Sequence, residues 1–261
     1  MQHIIFAILS HYHWALSLAA GAGIAVGSIG LNKLLALVPT FKAAQNLNRE
    51  TFEQKMTRPN YAANQKLNRK WSGTFLVVIF GMILPFCLTA RPQAWWSIPL
   101  DSVIILMVYD FFYYFTHRFI FHDGGIFGGP LLHMHGVHHR QHNPCRWDAS
   151  YINPLEIAIG LGLYVFTIFL LSCIMGNFNV LTVVITWVAF TELNLHNHDL
   201  WTENRFPFKY LNYAAKLHHF HHIRFTGGNF ATISPLYDWM FGTLDHGNGY
   251  RALAKSARPA E

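Results

Sequence analysis

The stretch that decides the fold is DFFYYFTHRFIFHDGGIFGGPLLHMHGVHHRQHNPCRWD, residues Asp110–Asp148. Seven of the 17 histidines in this chain of 261 residues lie within it. A second histidine-rich stretch, LHHFHH at Leu217–His222, follows later in the chain. Imidazole is the most common side-chain ligand of transition metals. The clustering therefore indicates a metal site.

Both stretches contain the pattern His-x-x-His-His. In the first stretch the three histidines are His135, His138 and His139. The second stretch repeats the pattern within HHFHH, at His218–His222. Positions i, i+3 and i+4 of a helix lie on one face, so each copy would present its imidazoles together. Two copies predict one metal centre with more than one ion, built from both stretches.

The composition is typical of a membrane protein. The chain is 52% hydrophobic and only 12% charged, whereas a soluble domain is usually about 25% charged. The net charge is +6, but the basic residues flank apolar segments, which argues against a nucleic-acid partner. The three cysteines are far apart and form neither a disulfide pattern nor a zinc pattern.

Five apolar stretches approach the roughly 20 residues that cross a bilayer as a helix. They are a segment within Ile4–Leu37, then Gly73–Ala90, Trp96–Phe115, Leu155–Met175 and the shorter Val180–Leu195. The last two are separated by only four residues, which predicts a helical hairpin. We therefore expect an all-α fold, a polytopic membrane bundle of about four to five transmembrane segments. A histidine-rich helical cap on the cytoplasmic side would hold a dinuclear metal site.

The distribution of Lys and Arg predicts the orientation, because basic linkers stay in the cytoplasm. Seven basic residues lie in the linker Thr40–Trp71 and ten in the two histidine-bearing regions, whereas Arg91 stands alone on the opposite side. Both histidine patterns are thus predicted to be cytoplasmic, with the N-terminus outside. The expected organisation is a transmembrane helix and basic linker over residues 1–72, a catalytic domain over 73–243 and a C-terminal tail over 244–261.

The end of the third apolar segment combines a carboxylate with histidines. Asp110 lies late in an apolar helix, where a charge is costly and usually functional or paired. It is a candidate to hold a ligand imidazole through the second ring nitrogen, and an interfacial acid is the alternative. His117 and His122 are five residues apart, so a straight helix would separate their side chains. If both bind metal, the helix must end, bend or unwind there, which the glycines of residues 124–130 favour.

About nine clustered histidines are more than one tetrahedral ion needs. Two ions fit that number better, and iron, copper and zinc all suit imidazole ligands. A redox metal beside apolar helices suggests activation of oxygen against a lipid C–H bond.

The histidine patterns occur with other short motifs in a fixed order. In sequence they are Asp110-x-x-Tyr113-x-x-x-His117-Arg118-x-x-x-His122, His135-x-x-His138-His139, Asn153-Pro154-x-Glu156, His196-Asn197-His198, His218-x-x-His221-His222 and Gly228-Asn229-Phe230 with Asp238-Trp239-Met240-Phe241-Gly242-Thr243. This order resembles the fatty acid hydroxylase/sterol desaturase superfamily of integral-membrane di-iron oxygenases. The resemblance covers about Asp110 to Thr243, over half of the chain.

The resemblance implies a set of metal ligands. They are His117, His122, His135, His138, His139, His196, His218, His221 and His222. Four further residues are candidates either as ligands or as groups that hold a ligand in place, namely His198, His219, Asp110 and Glu192. The first pair has four intervening residues, a spacing found in only part of the superfamily. Relatives often have Asn at the position of His198. His219 is the alternative to His218 as the first histidine of the second triad.

The resemblance also implies the chemistry. Two iron ions are expected, which zinc can replace in a recombinant preparation, with O2 as co-substrate. The expected reaction is hydroxylation of an aliphatic C–H bond of a lipid of fatty acyl, sphingolipid, sterol or carotenoid type. Electrons would come from a separate donor, a ferredoxin or cytochrome b5 type protein with its reductase. The alternatives are a lipid or sterol desaturase or demethylating oxidase on the same site, and a histidine-rich membrane metal transporter.

Overall fold

The structure is a computed structural model that describes residues 10–248. The predicted start of the first apolar segment at Ile4 and most of the predicted tail lie outside the described residues. Within residues 10–248 the regular structure is almost entirely helical, apart from two strands of two residues each. The all-α prediction is therefore confirmed.

The described α-helices are numbered here in chain order. They are α1 (Trp14–Leu35), α2 (Pro39–Met56), α3 (Pro59–Val78), α4 (Ser97–Thr116), α5 (Leu132–His135), α6 (Pro154–Met175), α7 (Val180–His196), α8 (Lys209–Ile223) and α9 (Leu236–Met240). Helix α3 continues through a π-turn and a 3-10 turn to Phe86, and α4 continues through a π-turn to Phe121. With these extensions α1, α3, α4 and α6 are long and apolar enough to cross a membrane. Helix α7 is shorter, as the sequence indicated.

The outer surfaces of these helices carry large apolar side chains. Val26 of α1 is 71% exposed, Val77 of α3 is 73% exposed and Ile174 of α6 is 72% exposed. Soluble monomers rarely expose such surface over a large area, because contact of apolar groups with water is unfavourable. Lipid chains would cover it instead, so the chain is an integral membrane protein.

The hairpin between α6 and α7 forms where the sequence predicts it. Helix α6 ends at Met175, and Gly176 then adopts φ 90°, a left-handed conformation that favours glycine. The strand Phe178–Asn179 pairs in parallel with the strand Leu88–Thr89, which ties the hairpin to the end of α3. The Asn179 side chain then caps α7 by accepting a hydrogen bond from the next helical turn.

Helices α1 and α7 pack closely through two glycines. A Cβ atom on Gly23 would lie 2.9 Å from a methyl group of Val184, and one on Gly27 would lie 3.3 Å from Val188. Small residues four apart let membrane helices approach each other closely. The N-terminal helix is thereby fixed against the helix that leads into the second histidine-bearing region.

The segment Thr40–Trp71, predicted as a polar linker, is helical. It comprises α2 and the first part of α3, which begins at Pro59 rather than at the predicted Gly73. Proline at the first helical position favours this start. These polar turns pack on the segment after the first histidine triad. There the buried Lys55 forms an ion pair with the buried Asp148.

Aromatic side chains fill the bundle between α4, α6 and α7. The ring centroid of Phe190 lies 5.0 Å from that of Tyr109 and 4.3 Å from that of Tyr164. Tyr164 in turn contacts Trp187 at 5.2 Å. Such contacts stabilise a core beyond the burial of apolar area. This aromatic layer lies below the histidine-bearing ends of the same helices.

Candidate metal centre

Nine buried histidines form two adjacent groups. Group one consists of His117, His122, His135, His139 and His221. One ring nitrogen from each of these residues lies within 4.8 Å of the corresponding nitrogens of the other four. Group two meets the same criterion with His138, His198, His218 and His222. The ring centroids of His139 and His222 are 4.8 Å apart, so the groups adjoin.

Each His-x-x-His-His triad contributes to both groups. The first triad sends His135 and His139, which are four residues apart, to group one and His138 to group two. The second triad does the reverse, since His221 belongs to group one and the other two histidines belong to group two. The two triads therefore interlock, and neither group can form without both of them.

A π-turn brings His117 and His122 into the same group. The turn covers His117–Phe121 at the end of α4, and the His122 N–H donates to the His117 carbonyl over 3.0 Å. In a π-helix the hydrogen bond runs from i to i+5, so residues five apart lie one above the other. The predicted unwinding thus occurs as a wider helical turn, and the glycines follow it.

Four members of group one direct their Nε2 atoms at one point. The Nε2 atoms form a closed ring in the order His117, His135, His139 and His221, with successive separations of 3.0, 3.1, 3.1 and 3.1 Å. The centre of a flat square with sides of about 3.1 Å lies about 2.2 Å from each corner, close to a metal–imidazole bond of about 2.0–2.1 Å. The ring has the dimensions of a metal site.

The tautomers of these imidazoles support a cation at that point. Nδ1 of His117 donates to the Phe230 carbonyl over 2.7 Å, and Nδ1 of His221 donates to the Gly228 carbonyl over 2.8 Å. Because a carbonyl only accepts, each Nδ1 carries the hydrogen and each Nε2 presents a lone pair. These two Nε2 atoms are 3.1 Å apart. Facing lone pairs repel each other, and a metal ion between them removes that repulsion.

The remaining members of group one are held differently. Nδ1 of His135 lies 2.8 Å from Oε1 of Glu156, the carboxylate–histidine pair that often orients a metal ligand. His122 is only 3% exposed, and neither ring nitrogen makes a hydrogen bond of normal geometry with the described residues. A buried imidazole without such a partner is unfavourable, and a metal ion would satisfy it.

Group two is centred on His198. Its Nε2 lies 3.1 Å from Nε2 of His138, 3.1 Å from that of His218 and 3.2 Å from that of His222. Its Nδ1 lies 3.1 Å from the carbonyl of Asn194, one turn earlier in α7. Four imidazoles at these distances suit one further ion.

The donors present therefore fit two transition-metal ions. Every member is an imidazole and no thiolate takes part, a set that suits iron, copper or zinc. Burial lowers the pKa of His138 to about 4 and that of His221 to about 3. Both rings are then neutral near pH 7, which is the form that binds metal.

His196 and Glu192 lie outside both groups. Nδ1 of His196 is 3.1 Å from a carboxylate oxygen of Asp199, and its Nε2 is 3.0 Å from the Leu211 carbonyl. Helix α7 ends at His196, and the turn that follows brings His198 instead into group two. Glu192 forms an ion pair with Arg146.

Asp110 contacts backbone instead of an imidazole. Its carboxylate accepts hydrogen bonds from the backbone N–H groups of Thr232 at 2.9 Å, Ile233 at 3.0 Å and Ser234 at 3.2 Å. These bonds fix the segment whose Phe230 carbonyl holds His117. The expected support of a ligand by Asp110 is thus indirect. His219, one position from His218 on α8, also belongs to neither group.

The backbone carbonyls that hold the ligands were not identified from the sequence. Between Gly228 and Phe230, Asn229 adopts φ 63° and donates its side-chain amide to two carbonyl groups. Asparagine tolerates this left-handed conformation better than most residues. The Gly-Asn-Phe motif was the available signal, and its role is to present two carbonyl oxygens to two imidazoles.

A cavity of about 380 Å³ reaches both groups from the membrane helices. Its walls come from α3, α4, α6 and α7, with Trp187 and Phe190 among the lining residues. Five of the nine histidines line it, namely His117 and His135 of group one and His138, His198 and His218 of group two. A molecule bound in this cavity would lie against both metal sites.

Comparison with known families gives one match over most of this region. The sequence profile of the fatty acid hydroxylase family matches residues 102–243, which is more than half of the chain. This range contains all nine histidines of the two groups. Helices α1, α2 and α3 precede it.

Several characterised proteins are similar to this chain. Methylsterol monooxygenase 1 of Rattus norvegicus is 29% identical over 143 residues, which are 52% of this chain and 44% of that protein. Protein CER1-like 1 of Arabidopsis thaliana is 24% identical over 184 residues, 65% of this chain and 28% of that protein. Very-long-chain aldehyde decarbonylase GL1-6 of Oryza sativa subsp. indica is 23% identical over 195 residues, 69% of this chain and 30% of that protein.

The chain spans about half or less of the length of these relatives. No solved structure matches it. The family profile, the order of the motifs and the two interlocking histidine groups all lead to the same conclusion. The chain belongs to the fatty acid hydroxylase family.

Proposed function

We propose that the chain is a membrane-bound di-iron oxygenase that hydroxylates an aliphatic C–H bond of a lipid. The observation that carries this proposal is that one cavity reaches both histidine groups from the membrane helices. A lipid can enter from the hydrocarbon side and place one carbon against the metal sites. The similarity to a methylsterol monooxygenase supports the same reaction class.

In this proposal the nine histidines of the two groups are the ligands, with His198 taking the place that the sequence assigned to His196. Two iron ions bound there would supply the reductive activation of O2. The chain's own groups hold the geometry, because contacts such as that between His135 and Glu156 fix the direction of the lone pairs. The apolar walls position the lipid and exclude water.

The electrons come, in this proposal, from a separate ferredoxin or cytochrome b5 type donor with its reductase. Exposed arginines follow both triads, Arg140 directly after His139 and Arg224 shortly after the second triad. The ring of Phe225, which follows Arg224 in the chain, lies 4.7 Å from the rings of His122 and His139. A basic surface this close to the ligands suits an acidic redox partner.

The metal sites are proposed to face the cytoplasm, because the basic residues concentrate on the side that carries the histidines. Reporter fusions after Gln93 and at the C-terminus test this orientation. We expect an external signal at Gln93 and a cytoplasmic signal at the C-terminus. An external C-terminus would contradict the proposed orientation.

Untargeted lipid profiling tests the reaction. Cells that express the chain are compared with cells that express the His135→Ala variant at the same level. We expect a lipid that gains one oxygen only with the wild-type chain. A product that has lost two hydrogens would assign the site to desaturation instead. Identical profiles, with both proteins present and the wild type loaded with iron, would contradict an oxygenase function.

A further inference from the structure

The short helix α9 exposes large apolar side chains outside the long membrane helices. Trp239 is 69% exposed, Met240 is 56% exposed and Leu236 is 41% exposed. An exposed apolar patch of this kind marks contact with a membrane or with another protein. The position of α9 against α4 decides between the two.

Helix α9 packs beside the lipid-facing side of α4. Leu100, Val103 and Phe111 of α4 are exposed, and their spacing places them on one side of that helix. Tyr237 of α9 donates a hydrogen bond to the Met107 carbonyl over 2.9 Å, and its ring centroid lies 5.5 Å from that of Phe111. The apolar surface of α9 thus continues the surface of a membrane-spanning helix.

The contacts of α9 with α4 lie at membrane depth. Helix α4 begins at Ser97, next to the exposed Trp95 and Trp96, and exposed tryptophans favour the head-group level. Met107 and Phe111 follow Ser97 by ten and 14 residues, which is about 15 and 21 Å along a helix. The hydrocarbon core is about 30 Å thick. Helix α9 therefore contacts α4 in the half of the core that is nearer to the histidines.

The backbone that leads into α9 finds its hydrogen-bond partners within the protein. The N–H groups of residues 230–234 are five consecutive donors to two buried carboxylates. Asp238 accepts the first two at 2.8 and 2.9 Å, and Asp110 accepts the other three at 2.9–3.2 Å. Non-helical backbone at the depth of the hydrocarbon core requires such partners, because lipid chains offer none.

The same segment holds two ligands of group one. The carbonyl groups of Gly228 and Phe230 accept hydrogen bonds from His221 and His117. Asp238, in the first turn of α9, accepts the N–H of Phe230. A displacement of α9 would therefore move a group that orients an imidazole of group one.

We propose that α9 is inserted among the acyl chains of the leaflet on the histidine side, with Leu236, Trp239 and Met240 in contact with lipid. This contact holds the segment of residues 228–234 in the position that orients His117 and His221. A second copy of the chain against α9, or water around it, would give the patch a different accessibility.

Nitroxide labels on α9 test the insertion in nanodiscs of dioleoylphosphatidylcholine. The protein is the full chain loaded with diamagnetic zinc and carrying Cys173→Ser, because Cys173 is exposed whereas Cys87 and Cys145 are fully buried. Labels are attached to Trp239→Cys and Met240→Cys. The measured quantities are the collision rates of each label with O2, which dissolves in lipid, and with a water-soluble nickel chelate.

Two further positions provide the references for these rates. Val103→Cys lies on the lipid-facing side of α4, and Lys216→Cys is exposed on α8. We expect the labels on α9 to match Val103→Cys and to meet the nickel chelate several-fold less often than Lys216→Cys does. Low rates with both reagents would place a protein surface on α9, and frequent collisions with the chelate would place α9 in water. Either result would overturn the proposal.

Two methionines allow a second test on the unmodified chain. Met240 is 56% exposed, and Met82 in the extension of the membrane-spanning α3 is 67% exposed. Hydroxyl radicals generated briefly in the surrounding water oxidise the methionines that they reach, and mass spectrometry measures the extent. We expect Met240 to be oxidised as slowly as Met82 in the nanodiscs. Oxidation of Met240 several-fold faster than that of Met82 would overturn the proposal.

Trp239→Leu and Trp239→Glu test the link to group one. Leucine keeps an apolar contact with lipid, whereas a carboxylate is unfavourable among lipid chains. We expect Trp239→Glu to lose the metal of group one at a several-fold lower chelator concentration than the wild type, and Trp239→Leu to match the wild type. Equal metal release from the two variants would show that lipid contact does not hold the segment, which would overturn the proposal.

Discussion

The two histidine groups differ in how firmly the protein holds them. In group one, Nδ1 atoms of three members are fixed by Phe230, Glu156 and Gly228. These three contacts span 2.7–2.8 Å, and one of them is to a carboxylate. In group two, Nδ1 atoms of only two members have partners, which are carbonyl groups at 3.1 and 3.3 Å. Each group also has two members whose Nδ1 has no hydrogen-bond partner among the described residues. Group one also has five imidazoles against four.

This difference teaches how the centre is built. Outer contacts that orient an imidazole raise metal affinity, typically by about 10–100-fold for each contact. Three rings of group one are therefore positioned by short contacts before an ion arrives, whereas group two has two such rings, held by longer contacts. We expect group two to release its metal first when a chelator is added.

The largest expected effect is the loss of one ligand from either group. His135→Ala in group one and His222→Ala in group two should each lower turnover more than about 100-fold, because a removed ligand should affect the site more than a removed outer contact. Product formation per chain measures this. His133→Ala, at an exposed position of the same segment, is the control and should stay near wild type. Full activity in both ligand variants would break the claim of one catalytic centre.

The next effect separates His198 from His196. We expect His198→Asn to lower the metal content from about two ions to about one, because His198 contacts all other members of group two. His196→Asn should keep about two ions, since its ring contacts Asp199 and a carbonyl. Elemental analysis after gentle purification measures both. The reverse order would return His196 to the ligand set.

A smaller effect is expected when an outer contact is removed from group one. Glu156→Ala takes away the partner of His135 and should weaken metal retention in group one by about 10–100-fold. In a chelator titration, the chelator concentrations that remove the metal from group one and from group two should then become more similar. Glu192→Ala removes a carboxylate outside both groups and serves as the control. If these two chelator concentrations stay as far apart in Glu156→Ala as in the wild type, this contact does not decide which group releases its metal first.

The smallest effect on activity is expected from Lys55→Met. Lys55 is paired with Asp148, three residues before Tyr151, whose carbonyl lies 3.3 Å from Nδ1 of His138. Loss of one partner of a buried ion pair destabilises by about 3–5 kcal/mol, which is several degrees in Tm. We expect a lower Tm and faster metal release from group two alone. Lys42→Met, exposed on the same helix, should change neither.

Much of the fold could be predicted from hydropathy, but not the polar helices. The apolar stretches identify the spans because length and composition alone decide whether a helix can cross a bilayer. Residues 40–71 carry seven basic side chains and form helices that pack on the segment after the first histidine triad. That packing joins residues distant in sequence, as in the pair Lys55–Asp148, and no local pattern reports it.

For the site, the motifs predicted which histidines cluster but not how they divide. One residue turns a helix by about 100°, so the end of α7 decides whether His196 or His198 faces group two. The sequence does not fix a helix end to one residue. The division of each triad between the groups likewise depends on the angle at which α5 and α8 meet, which is a tertiary property.

The π-turn at His117–Phe121 has a consequence for how this protein family can vary. A π-turn contains one residue more than the α-turn it replaces, yet its first and last side chains still lie one above the other. One inserted residue can therefore change the separation of the two histidines from four positions to the five between His117 and His122, and both imidazoles still lie on the same face. Chains with three and with four intervening residues would then share one geometry. In an ordinary α-helix the same insertion would rotate all later side chains by about 100°.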